Sequence, residues 1–107
     1  MSIKFSDIAK KTRKVELSFQ DEVLELEYRV NVTTPAFMAE LAGIEDFRES
    51  LIFQLERVLV HWTLTDDDGN ALEPTHDLLM QLPTPMLANI LEVIVEDMKV
   101  ASEVKKA

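Results

Sequence analysis

Val15-Glu16-Leu17-Ser18-Phe19-Gln20-Asp21-Glu22-Val23-Leu24-Glu25-Leu26-Glu27-Tyr28-Arg29-Val30-Asn31-Val32-Thr33 is the stretch on which the fold turns. Val15, Leu17 and Phe19 alternate with Glu16, Ser18 and Gln20. After the polar gap Asp21-Glu22, the apolar positions Leu24, Leu26, Tyr28, Val30 and Val32 alternate with Glu25, Glu27, Arg29, Asn31 and Thr33. Two period-2 runs across a short polar gap predict an amphipathic β-hairpin over residues 15–33. The gap has neither Gly nor Asn, so turn type and register stay open at this point. One face is apolar and the other acidic, so helices should cover the apolar face.

The period changes on both sides of this stretch. Upstream, Ser6 can cap a short helix over residues 7–13, within a basic arm spanning residues 1–14. Downstream, Thr34-Pro35 is a helix start, with Thr34 as N-cap and Pro35 where its missing N–H costs nothing. That helix runs to about Ala42 and breaks at Gly43. The next begins near Glu45-Asp46, acids suited to a helix N-terminus, and is expected to continue to about Trp62. Phe47, Leu51, Leu55, Val58, Leu59 and Trp62 share one broad face of it. Phe53 and Val60 lie nearly opposite, beside Glu49 and Glu56, which predicts a helix buried on two sides.

Asp66-Asp67-Asp68-Gly69-Asn70 resembles a calcium loop only superficially. Aligning Gly69 with the glycine of an EF-hand puts Leu64 and Thr75 at positions that need oxygen-rich ligands, so an Asp-Gly turn is expected. Thr75 then caps a short helix over residues 76–82, which Pro83 ends. Thr84-Pro85 repeats the cap-plus-proline device before a final helix over about residues 85–103. Its polar stripe is narrow (Asn89, Glu92, Glu96, Lys99 and Glu103), and most of the remaining circumference is apolar. The whole reads as an α+β domain over residues 15–107, an N-terminal β-hairpin packed against a mainly helical part of about four helices (35–62 and 75–103).

Composition narrows the function. The 107 residues can bury one core. With no Cys, disulfides and thiolate chemistry are excluded. No apolar run approaches the roughly 20 residues of a membrane span, and no hydrophobic stretch follows the basic N-terminus as a secretory signal requires. A cytoplasmic protein is the expectation.

The net charge of −9 is unevenly spread. Residues 1–14 carry five basic groups and one acidic. Residues 15–68 carry thirteen acidic and three basic, and residues 69–107 six acidic and three basic. An acidic body repels phosphate backbones, so no nucleic-acid partner is expected. The basic arm reads first as a solvated, partly ordered terminus; its sharper reading is an arm that docks on an acidic neighbour, such as the next copy of the chain.

Catalytic signals are missing from the pattern. His61 and His76 lie fifteen residues apart in no metal-ligand spacing, and His61 is expected at a helix C-terminus. Ser50 and Ser102 lack a nucleophile-elbow context. Glu92 and Glu96 sit one turn apart on the polar stripe, where solvation keeps their acidity ordinary. With only Gly43 and Gly69, no phosphate loop can form. No catalytic residue, cofactor or metal is expected. The candidate residues are instead those of a partner or self-association surface: Phe53, Val60, Met86, Leu87, Leu91, Val95 and Met98. Met86 and Met98 would lend such a surface adaptability, although so widely apolar a helix belongs in a core or an interface, and a plain core role is the leading reading.

With these pieces placed, the chain resembles the tail assembly chaperones of long-tailed bacteriophages and prophages. The similar parts are the apolar segment running into Trp62-Thr63-Leu64-Thr65-Asp66-Asp67-Asp68-Gly69-Asn70, the Pro74-Thr75 restart, the Leu82-Pro83 stop and the long final helix. Together they cover roughly residues 15–103. The resemblance implies a protein that coats the tape measure protein, keeps it soluble and helps recruit tail tube subunits. It implies many copies, hence self-association, open-ended rather than closed. It also implies a longer form made by ribosomal frameshifting, for which Lys105-Lys106 could be encoded by a slippery run of adenines.

Two other classes fit a small acidic protein. A head–tail connector or tail terminator would remain in the finished virion, where mass spectrometry would find it and miss a chaperone. An acidic DNA mimic would need phosphate-like carboxylate spacing, for which Glu16, Glu25 and Glu27 are too few.

Overall fold

The computed structural model describes residues 11–105, with side chains as far as Val100. Over the described residues it is an α+β domain in which a three-stranded antiparallel sheet, in the order β1-β2-β3, carries four helices. Strand β1 spans Thr12–Phe19 and β2 spans Glu22–Arg29. They form the expected hairpin, with Phe19 facing Glu22 and Leu17, Val15 and Arg13 facing Leu24, Leu26 and Tyr28. This register gathers the apolar positions of both strands on one face, where Leu17, Leu24, Leu26 and Tyr28 are buried. The two-residue turn has positive φ at both Gln20 (50°) and Asp21 (67°). That is the turn geometry whose twist matches the flanking strands, here made without glycine. Cost follows, because an L-residue in this region crowds its own carbonyl.

Strand β1 begins at Thr12, so the short helix expected over residues 7–13 does not reach Thr12 or Arg13. Its earlier residues lie outside the described ones.

Helix α1, Pro35–Ala42, starts as expected, with the Thr34 hydroxyl accepting from the amide of Phe37. Helix α2, Phe47–Val58, is capped by the Asp46 carboxylate, which accepts from the amide of Glu49. The long second helix ends four residues earlier than the periodicity predicts. Leu59–Trp62 is strand β3, paired with β2 through Leu26–Trp62, Glu27–His61 and Tyr28–Leu59. The physical reason lies at Val60. The register shifts there, leaving Val60 as the extra residue of a β-bulge. Leu59 and Trp62 are three apart, so an unbroken strand would send them to opposite faces. The bulge restores both to the core, and both are buried. An i, i+3 pair pointing the same way imitates helical spacing, while β-branched and aromatic residues favour the strand. His61 therefore sits exposed on a strand instead of at a helix C-terminus, and Phe47, placed on the buried face by periodicity, is exposed.

The acidic loop after β3 is a folded turn. Amides of Asp68 and Asn70 both donate to the Asp66 carboxylate at 2.9 Å, and Gly69 takes the positive φ of 84°. These amides hold the Asp66 carboxyl below its usual range, chiefly through Asn70. A bridge from Thr65 to Ala71 closes the loop, and the Trp62 indole N–H donates to the carbonyl of Leu72. The Trp62 ring is thus buried with its single donor satisfied.

Helix α3, His76–Gln81, is capped by Thr75, whose hydroxyl accepts from the amide of Leu78. Helix α4 spans Thr84–Lys105. Thr84 is its first helical residue and does not cap it; the Thr84 hydroxyl accepts from Arg48 at 2.9 Å. Arg48 also donates to the Met80 carbonyl, joining the start of α2 to the α3–α4 corner. Leu87, Ile90 and Ile94 of α4 are fully buried against the sheet and α2, while Asn89, Glu92, Glu96 and Lys99 form the expected exposed stripe.

One polar cluster locks α4 to the sheet. Asp97 follows Ile90 and Ile94 on the same face, and its carboxylate accepts from the Tyr28 hydroxyl and from Arg13 at 2.8 Å. Arg13 holds the Asp97 carboxyl below its usual value, against the opposing effect of burial. Burial, together with the bond to Asp97, pushes Tyr28 up to about 12.

Candidate partner-binding surface

The seven residues expected on a partner surface are not one surface. Met86 (8% exposed) and Leu87 (0%) belong to the chain's own core. Buried there, they are not interface residues, because the sheet and α2 together require a broad apolar face from α4. Leu91 and Met98 pack against the same core, half-buried. Val60 is half-buried in the β3 bulge and shares no helical face with Phe53. Val95 is 39% exposed on α4.

Phe53 opens onto a groove. It lies between α2 and α3, encloses about 400 Å³ and is lined by Glu49, Ile52, Phe53, Glu56, Arg57, His76 and Met80. Helical spacing explains the α2 side, since residues 49, 52, 53 and 56 follow one another at i+3 and i+4. The Phe53 ring is fixed from two directions. Phe37 of α1 stacks on it at 5.4 Å between centroids, and the Arg57 guanidinium lies 3.7 Å over the ring. Arg57 also reaches Glu40 at 3.5 Å, so its charge is turned towards α1.

On the other wall, His76 at the first position of α3 pairs with Glu56. Glu56 raises the His76 pKa, through its hydrogen bond first and its charge second. The floor of Ile52, Phe53 and Met80 is apolar, and Met80 is 51% exposed. Glu49 contributes a carboxylate that has no ionic partner among the described residues. Such a site can take an apolar side chain from an amphipathic helix and hold a neighbouring cation at its rim.

The sequence pointed to Phe53, Glu49 and Glu56 but missed Met80 and His76. Their contribution depends on how α3 folds back over α2, which no local pattern records. Glu92 and Glu96 are both exposed on α4, where Glu96 faces Lys99 at 3.5 Å.

Among the described residues, no group of three or more His, Cys, Asp or Glu side chains is arranged to hold a metal ion. No helix among them is long and apolar enough to cross a membrane. The chain is an α+β domain whose candidate site is the groove between α2 and α3. No family model, no curated protein and no solved structure matches it.

Proposed function

We propose that this chain is a non-catalytic tail assembly chaperone acting in the host cytoplasm. In this reading it binds the tape measure protein and helps gather tail tube subunits around it. The observation that carries the reading is the α2–α3 groove, with its apolar floor at Ile52, Phe53 and Met80 and its carboxylates at Glu49 and Glu56. A tape measure protein is largely a long helix, and this groove offers what one turn of an amphipathic helix needs: a pocket for an apolar anchor and an acid for a flanking Lys or Arg. An acidic body keeps many copies soluble on one long partner and favours basic segments of it.

Met80→Glu tests this directly, because Met80 is exposed enough to be changed without opening the core. The substitution should weaken capture of the tape measure protein at least tenfold, measured by titration calorimetry. It should leave the free energy of urea unfolding within about 0.5 kcal/mol of wild type. Unchanged capture would remove the groove from the binding site.

A further inference from the structure

The edge of β1, unpaired among the described residues, and the groove beside it carry a second inference. Residues 11, 13, 15, 17 and 19 are the β1 positions that bond to β2. The hairpin closes at Phe19–Glu22, and the Val30 amide donates to the Lys11 carbonyl in the same parity. Thr12, Lys14, Glu16 and Ser18 therefore turn their amides and carbonyls away from β2, at the edge of the sheet. Arg13 and Lys14 guard one end of this edge with charge, but Glu16 and Ser18 have no such protection.

Alongside lies a groove of about 560 Å³ between β1 and α4. Val15, Leu17 and Val93 make its floor, Val100 its exposed wall, and Glu92 and Glu96 stand at its rim. On the outer face of the sheet, Glu16 lies directly opposite Glu25, a like-charge pair that destabilises unless a cation separates it.

We propose that this edge and groove receive residues 2–6 of a second copy of the chain, added as a fourth strand. Ser2-Ile3-Lys4-Phe5-Ser6 is the alternation the site calls for. Paired antiparallel with Lys4 opposite Glu16, it sets Ile3 opposite Leu17 and Phe5 opposite Val15. Both apolar side chains then enter the groove, and the Lys4 ammonium meets Glu16 and Glu25 on the outer face. The charge balance of the chain is arranged for this exchange, with five basic groups among its first 14 residues and thirteen acids among residues 15–68.

The chain's own arm suits the site less well. Lys11 is already held in the ladder by Val30, so a fold-back would have to turn within Ile8-Ala9-Lys10, which has no residue favouring positive φ. An arm passed to a neighbour leaves each copy with one arm to give and one edge to fill, so copies join head to tail beyond a dimer.

Two complementary variants of the full chain test this. Ile3→Ser with Phe5→Ser disables the arm. Glu16→Pro disables the edge by removing an amide that makes no bond to β2. If Glu16→Pro lowers the urea midpoint, Val100→Glu at the exposed groove wall replaces it. Light scattering over rising concentration should show wild-type mass growing beyond two copies. Each variant alone should stay at 12.2 kDa. An equimolar mixture should form a dimer and stop there, since only one arm and one edge remain functional. Wild type at chain mass throughout, an arm variant that assembles like wild type, or a mixture that stays monomeric would each overturn the proposal.

Discussion

Removing the Asp97 carboxylate should release α4 from the sheet more than its place near the helix end suggests. Tyr28 is fully buried, and its hydroxyl donates to Asp97. Asp97→Ala takes away the acceptor of that hydroxyl's proton and deletes a hydrogen bond to a charged group; together these cost about 2–3 kcal/mol. Arg13 adds little, because its side chain stays 40% exposed and water replaces the lost ion pair. For a domain of this size the loss corresponds to a fall in Tm of about 10 °C. Urea unfolding should show a lower midpoint with an unchanged slope. Tyr28→Phe should cost less, and the double variant should cost clearly less than the two singles added together.

The cluster also sets a pH dependence. The Asp97 pKa is depressed in the fold, so its contribution is complete above the ordinary carboxylate value of 3.8 and is lost as pH falls through the lower folded value. Wild type and Asp97→Ala should therefore converge in stability under acid. The Tyr28 pKa is raised from 10.0 to about 12, so its contribution is complete below pH 10 and fades as pH climbs towards 12. If Asp97→Ala unfolds within 0.5 kcal/mol of wild type at neutral pH, α4 is held by apolar packing alone and the reasoning fails.

Further outcomes follow from the same geometry. Gln20→Asn with Asp21→Gly should stabilise the hairpin by about 1–2 kcal/mol, read as a higher urea midpoint; a lower midpoint would contradict the positive-φ turn. Trp62→Phe keeps most of the buried ring but strands the Leu72 carbonyl, and should cost about 1–3 kcal/mol. The His76 pKa is raised by Glu56, so their pairing stabilises below pH 6.5 and is lost as pH rises through the folded value. An NMR titration should show Glu56→Gln bringing the His76 midpoint back down.

Much of the architecture can be read from local pattern because local physics determines it. The alternation over residues 15–33 placed the hairpin, and Thr34 and Thr75 announced helix starts that their hydroxyls do cap. What could not be read depends on partners distant in sequence. Strand β3 was hidden because a bulge at Val60 gives Leu59 and Trp62 a helix-like spacing. The turn at Gln20-Asp21 has the conformation of a glycine turn without its residues. The Arg13–Tyr28–Asp97 cluster joins positions 69 and 84 residues apart. Its one sequence signal was an acid at Asp97, where the spacing from Ile90 and Ile94 calls for an apolar residue. The α2–α3 groove was half visible, through Phe53, Glu49 and Glu56. Met80 and His76 complete it only once α3 has folded over α2.

The most direct measurement of the chaperone reading is co-expression with the large helical protein expected from the gene just downstream. Size-exclusion chromatography with light scattering would follow. The account predicts that this helical protein becomes soluble only when the chain is present, and that many copies of the chain co-elute with it. A helical protein that stays insoluble while the chain elutes alone as a defined closed ring would contradict the account.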